Sequence, residues 1–373
     1  MLKITLIGCV GTVMSIKFYN LEEQFLDQQA ELRRTMVEVA SSGQYFANES
    51  VAKFESLVSR LYDRAACVAT NSGTSALTVA LKLAKLPLGS FVAIPAMTYV
   101  ATANAVVAAG CVPICIDIDE HWLMDYSMLM DYLDKIPNIS AVIVVDLYGQ
   151  GVEISRFKKM CDHYNVKLIV DAAQSFEIMY DYYHQIDYCD SLALSFNPLK
   201  NLGAMGNAGA IVSKNYSYKE MYSVCTQGKQ NNNVIEPGLN CRIDALQAAI
   251  LNVKYKVYDD GQLRKSEISW YYRHELKDLV EMPERVNHCT STNYVFVIAP
   301  KNPDMVKLML GIANIEFASH YPMPIHHYDA YKTDTDFAPR ASQLTGRCIS
   351  LPNHWHLTND DVEKVVMTVK AGL

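Results

Sequence analysis

Three short stretches hold the residue types that covalent chemistry needs. In NSGTSAL, residues 71–77, a glycine and two kinds of hydroxyl side chain sit where an apolar strand gives way to a helix. Free N–H groups at such a start serve either as an ordinary capped turn or as a phosphate cradle. In KLIVDAAQS, residues 167–175, an apolar strand ends in Asp171, with Gln174 three residues on. An acid at a strand's end can bind a metal, act as a base or pair with a cationic ring nitrogen, and no neighbouring carboxylate or histidine completes a metal site. In SFNPLKNLGAMGNAG, residues 195–209, Lys200 stands between a strand ending at Phe196 and a loop with three glycines. Taken alone it reads as a solvated loop lysine, yet a partly desolvated lysine near other cations becomes a nucleophilic amine. Together, a phosphate cradle, an acid for a ring nitrogen and an amine for an aldehyde are the three contacts that pyridoxal phosphate requires.

The elements that must position these groups are legible as alternating strands and helices. Apolar residues at helical spacing predict surface helices over 21–41 and 49–62. Strands are expected at 67–70, 91–95, 112–117, 141–146 and 167–171, with helices at 74–85, 99–109, 126–134 and 153–164 between them. Two further strands, 191–196 and 208–213, flank the Lys200 loop, and 238–276 reads as one long helix or two joined near Gly261. The strands are continuous apolar runs, which marks a sheet covered by helices on both faces. In such sheets ligands sit at the carboxyl ends of the strands, where all three stretches fall.

Composition narrows the function classes. The 373 residues carry a net charge of −7 and show no basic stripe, which argues against nucleic acid as a partner. No apolar run is long enough to span a bilayer, so no membrane partner is expected. Ten scattered cysteines without metal-site spacing suggest reduced thiols in a cytoplasmic protein; Cys111 and Cys115 read as core packing, and no metal site is expected. Residues 1–14, MLKITLIGCVGTVM, could pass for the first strand of a dinucleotide fold, but GCVGT does not supply the glycine pattern. An over-long start ahead of Met14 or an added strand is the expectation.

The motifs TNSGTSAL, PAMTYVATANAVVAAGCVPICIDID, VDAAQSF, SFNPLKNLGAMGNAGAIV, GLNCRIDALQAAIL and SLPNHWHLT resemble, in order and spacing, those of the DegT/DnrJ/StrS family of sugar aminotransferases. The resemblance runs from about residue 17 to the end. It implies an α/β protein of the aspartate-aminotransferase fold, type I. Its large domain, 17–255, would hold a mostly parallel seven-stranded sheet between helices, followed by a small α+β domain over 256–373, with 1–16 as an N-terminal extension. It also implies pyridoxal 5′-phosphate as cofactor, an amino acid as amino donor, with L-glutamate foremost, and a nucleotide-linked keto-sugar as acceptor. The products would be amino sugars for surface polysaccharide, such as the O-antigen of lipopolysaccharide, or for a secondary metabolite.

Residue by residue, the resemblance implies that Lys200 is the catalytic residue, binding the cofactor aldehyde and moving the proton. Asp171 would hold the pyridine nitrogen protonated, Gln174 the ring hydroxyl, and Tyr99 would stack on the ring. Gly73, Thr74 and Ser195 would bind the phosphate. Asn240 would reach that phosphate from the partner subunit, which implies a homodimer with shared active sites. Arg242, His320, Tyr321 and His326 are candidates for substrate contact, while His327, His354 and His356 read as structural. Dehydratases of the family carry histidine where Lys200 stands, so the lysine favours transamination. The segment ASHYPMPIHHYDAY, 318–331, resembles that of members aminating carbon 3, which points to a dTDP-linked 3-keto-6-deoxyhexose. A 4-keto sugar is the alternative, and a regulatory member without catalysis the rival of another class. Asn207, Glu177 in place of a usual glycine, and QGKQNNNVIEPGLN depart from the family pattern.

Overall fold

A computed structural model describes residues 15–231, 233–333 and 337–373; the expected strand or over-long start within residues 1–14 lies outside them. Three helices lead in: α1 (Leu21–Asp27), α2 (Gln29–Ser42) and α3 (Glu49–Leu61). The continuous helix expected over 21–41 is broken at Gln28, whose Nε2 donates to the Val253 carbonyl at 2.9 Å. A tertiary contact there outweighs an unbroken periodicity.

Strand and helix then alternate: β1 (Ala66–Thr70), α4 (Gly73–Leu83), β2 (Phe91–Pro95), α5 (Val100–Ala108), β3 (Val112–Ile116), α6 (Tyr126–Lys135), β4 (Ile139–Val145), α7 (Ile154–Tyr164) and β5 (Lys167–Asp171). A short ribbon of β6 (Met179–Tyr180) and β7 (Tyr183–His184) precedes β8 (Ser191–Ser195) and β9 (Gly209–Ser213). The seven-stranded sheet has the order β1-β9-β8-β5-β4-β2-β3. Neighbours pair in parallel from β3 across to β8, and β9 runs antiparallel to both β8 and β1. The apolar strands are buried on both faces, as doubly covered sheets require. Because β9 alone is reversed, its first residue meets the last residues of β1 and β8 at one edge, with Gly209 opposite both Thr70 and Ser195.

Beyond the sheet come α8 (Tyr218–Cys225), the ribbon β10 (Lys229–Gln230) with β11 (Asn233–Val234), α9 (Ala245–Lys254) and α10 (Tyr258–Leu276). The expected join near Gly261 is instead a 3-10 turn at Tyr255–Val257, and Gly261 lies buried inside α10 against Trp355. The first residues of the expected 238–276 helix are extended, with Asn240 bridging to Thr226 and Arg242 to Thr70, and α9 starts only where Asp244 caps the Gln247 amide at 2.9 Å. The chain closes with β12 (Phe296–Ile298), α11 (Pro303–Ile312), α12 (Pro339–Thr345), β13 (Ile349–Leu351) and α13 (Asn359–Ala371). Ile268, Tyr272 and Leu276 of α10 pack with β12, β13, α11, α13 and Ile16 in a second apolar cluster beside the one that covers the sheet.

Candidate active site

The carboxyl edge of the sheet gathers the three stretches. After β1, Ser72 is extended and caps α4, its hydroxyl accepting the Ser75 amide at 3.1 Å. Helical geometry leaves the Gly73 and Thr74 amides without intrahelical acceptors, with the positive end of the helix behind them. The end of β8 lies against this start: a Cβ on Gly73 would stand 2.8 Å from the Ser195 Cβ and 3.3 Å from its Oγ. A Cβ on Gly209 would meet the Ser72 carbonyl carbon at 2.4 Å, so glycine is needed at both positions for the strands and the helix to approach.

Asp171 ends β5 and is buried. Its Oδ2 accepts the Thr102 hydroxyl at 2.8 Å and its Oδ1 the Ala173 amide at 3.2 Å. Burial pushes its carboxyl up, opposed by these two donors and by the Lys200 charge. Thr98 and Thr102 stand one turn apart with their hydroxyls 3.0 Å apart, so the start of α5 supplies Asp171 with its partner. Tyr99, the residue between the β2 loop and α5, keeps 60% of its surface exposed, which leaves its ring free for stacking.

Lys200 is partly buried on the loop after β8, and its Nζ lies 4.5 Å from the centre of the Tyr294 ring, a cation–π contact. The same loop is tied at its base by Asn197 Nδ2 donating to Asn207 Oδ1 at 3.3 Å, which gives the unusual Asn207 a bracing contact. His320 is held near neutral form by burial and then by the Lys200 charge, which together push it down to about 4; its Nδ1 is 2.8 Å from the Ser350 hydroxyl. Gln174 is already fastened at both ends. Its Oε1 accepts the Tyr148 amide at 2.7 Å and its Nε2 donates to the Tyr321 hydroxyl at 2.6 Å. Tyr148 and Tyr321 both hold left-handed backbone, at φ 59° and 57°, an expense for bulky residues that tends to gather at working sites.

Other sequence candidates are placed elsewhere or less tightly. His326 is buried against Phe337, with 4.7 Å between ring centres, and its amide donates to the Cys115 thiol beside β3. Arg242 lies over the Phe46 ring at 5.3 Å with its Nε buried and unbonded among the described residues. Asn240 is exposed, while the next carbonyl, that of Cys241, accepts the Asn71 amide at 2.7 Å, so this segment runs beside the α4 start of its own subunit. His354 and His356 are braces, bonded to the Lys17 carbonyl at 3.0 Å and to Asp27 Oδ2 at 2.8 Å. Glu177, where the family pattern has glycine, adopts φ 65°, which explains the usual glycine; here Tyr255 donates to its carboxylate at 3.2 Å and burial pushes it up to about 7. Sequence reasoning missed Thr102 and Tyr294. Only the four-residue spacing of Thr98 and Thr102 across the start of α5 could have signalled the former.

The donor set suits pyridoxal phosphate: helix-start amides without intrahelical acceptors beside a hydroxyl for the phosphate, a buried carboxylate, and an amine within electrostatic reach of it. The sequence model of the DegT/DnrJ/EryC1/StrS aminotransferase family matches residues 26–370. The chain belongs to this family. Membership makes it an aminotransferase dependent on pyridoxal 5′-phosphate. Among relatives of the DegT/DnrJ/EryC1/StrS chain, the erythromycin biosynthesis sensory transduction protein EryC1 of Saccharopolyspora erythraea is 30% identical, the match covering 96% of this chain and all of that one. The dTDP-3-amino-3,6-dideoxy-alpha-D-galactopyranose transaminase of Aneurinibacillus thermoaerophilus is also 30% identical, over 95% of this chain and 98% of its own. Among solved structures, S. venezuelae DesV in complex with a ketimine intermediate superposes with a TM-score of 0.91 at 26% identity, covering 96% of this chain and 98% of that one.

Proposed function

We propose that this family member transfers an amino group from an amino acid, L-glutamate foremost, to carbon 3 of a nucleotide-linked keto-sugar of the dTDP-3-keto-6-deoxyhexose type. The observation that carries the reading is the convergence of Lys200, Asp171 and the Gly73 amide on one sheet edge. The bound cofactor supplies an aldehyde carbon and an electron-withdrawing ring that stabilises charge on the carbon losing its proton. Lys200 Nζ would bind that aldehyde and, as a free amine, would carry the proton at the reacting carbon. The Asp171 carboxylate keeps the ring nitrogen protonated, and the Thr102 hydroxyl fixes which oxygen is presented. Gly73, Thr74 and Ser195 hold the phosphate, Gln174 the ring hydroxyl, and Tyr99 covers the ring face. The 318–331 segment, with Tyr321 already on Gln174, and a relative named for a dTDP-3-amino sugar support carbon 3.

The test is incubation with L-glutamate and a panel of dTDP-, UDP- and GDP-linked 3- and 4-keto sugars, reading product mass and the position of the new amine. A 3-amino product is expected with a dTDP sugar. A 4-amino product overturns the carbon assignment, and no product from any member, with cofactor bound, favours a regulatory protein such as the EryC1 relative's name describes.

We further propose a homodimer in which Asn240 reaches the partner's phosphate. A one-to-one mixture of Lys200→Ala and Asn240→Ala subunits should then regain about a quarter of wild-type activity, because half the dimers are mixed and each has one intact site. Recovery no greater than the sum of the parent variants would assign Asn240 to its own subunit's site.

A further inference from the structure

Lys265 is a buried cation that the chemistry above leaves unused. It projects from α10, the helix whose Ile268, Tyr272 and Leu276 belong to the second apolar cluster, yet its ammonium reaches toward the Lys200 loop. Only 5% of its surface is exposed, and its Nζ meets two neutral acceptors: Asn201 Oδ1 at 2.5 Å and the Tyr294 carbonyl at 3.1 Å. No carboxylate among the described residues pairs with it. An ammonium buried without a counter-ion is an expensive way to hold a helix against a loop, since an apolar side chain of similar length would do so without desolvating a charge.

The two acceptors explain what the charge accomplishes. Asn201 follows Lys200 directly in the chain, and its Nδ2 donates onward to the Thr292 carbonyl at 2.8 Å. Thr292 in turn donates its hydroxyl to the Gln174 carbonyl at 2.6 Å. Tyr294 presents the ring over which the Lys200 Nζ lies at 4.5 Å. One ammonium therefore grips both the side chain of the residue after Lys200 and the backbone carbonyl of the aromatic residue beneath its amine.

We propose that Lys265 is a positioning residue, clamping Asn201 and Tyr294 together so that the Lys200 amine is held at the cofactor aldehyde. It acts through Asn201 and Tyr294 and touches no reacting atom. The inference rests on the reading of Lys200 as the cofactor's lysine. Charge-assisted hydrogen bonds are the stronger kind, which suits a clamp. Burial also pushes Lys265 down to about 7.

The test uses the full-length holoenzyme in Lys265→Met, Lys265→Arg, Asn201→Ala and Lys265→Met/Asn201→Ala forms, with L-glutamate alone as the probe and the visible absorbance of the lysine-bound cofactor as the readout. Loosening the clamp should slow the single-turnover rate at saturating glutamate about tenfold or more, the scale of a misplaced reacting group. The half-saturating glutamate concentration should stay within about twofold, since no donor contact is lost. Without substrate, Lys265→Met and Asn201→Ala should each release cofactor faster on gel filtration than wild type. Lys265→Arg should restore part of the rate, because it keeps a buried donor. The double variant should be no more than about twofold slower than the slower single one, because both changes break one clamp. Wild-type turnover and retention in Asn201→Ala, or effects that multiply in the double variant, overturn the proposal; should Lys265→Met fail to fold, Asn201→Ala decides alone. Lys200→Ala is the control. If it keeps the lysine-bound absorbance, the reading of Lys200 fails, whereas loss of that band with unchanged Asn201→Ala rejects only the clamp.

Discussion

Lys200→Ala should abolish turnover while leaving the protein folded and able to bind pyridoxal phosphate without a covalent link. The side chain is partly buried on a loop and its amine lies over the face of the Tyr294 ring, so truncation empties no core and strands no buried partner. On the proposed reading its chemical cost is double, because one side chain would be both the nucleophile that binds the aldehyde and the group that carries the proton. A loss of about 10⁴-fold is expected, the upper range for a positioned proton carrier. A small primary amine added to the variant should restore a measurable fraction by carrying the proton from solution. The covalent role is checked on the wild-type protein by borohydride fixation and peptide mapping. Lys254 and Lys265 are the informative competitors, since both are buried and burial pushes their amines down to about 8 and about 7. A label on either of them, or turnover of Lys200→Ala near the wild-type rate, would overturn the assignment.

The sheet was legible in the sequence because its strands are buried on both faces and so appear as unbroken apolar runs; β2 and β5 fall on the expected residues, and β8 ends one residue early. Helix breaks were not legible where long-range contacts decide them. Gln28 leaves the helical path to bond the Val253 carbonyl, and the α9 start follows from Asp244 and from the strand-like pairing of Arg242 with Thr70. The same distinction governs the site. Asp171, Gln174 and Lys200 announce themselves by standing at strand ends, where polar residues interrupt apolar runs. Tyr294 and Lys265 lie in stretches of ordinary composition, 94 and 65 residues beyond Lys200 by subtraction of their numbers, and only folding brings them to it. Glu177 is the instructive departure. Its left-handed backbone costs on the order of 1 kcal/mol relative to glycine, and its carboxylate gains the Tyr255 hydroxyl in a buried setting.

Asp171→Asn should separate electrostatics from shape at the cofactor's ring. The two side chains have nearly the same outline, and the amide oxygen of Asn can still accept the Thr102 hydroxyl that now meets Oδ2 at 2.8 Å. What vanishes is the negative charge, together with the acceptor that the Ala173 amide now meets at 3.2 Å. An amide cannot hold a proton on a ring nitrogen, so the ring becomes a weaker acceptor for the charge left when the substrate carbon is deprotonated. Burial pushes the carboxyl up, and the Thr102 and Ala173 donors and the nearby Lys200 charge oppose that shift. Turnover should fall about 10²- to 10³-fold, the size expected for removing one aimed electrostatic contact. The phosphate contacts are untouched, so cofactor should still be retained on gel filtration and still be fixed to Lys200 by borohydride. The visible absorbance of the lysine-bound form should titrate at a different pH, because the negative charge of Asp171 would no longer face the ring nitrogen. Near-normal turnover in Asp171→Asn would mean that some other group holds the ring proton, and Thr102→Val would then show whether the Thr98 and Thr102 hydroxyls, 3.0 Å apart, take that part.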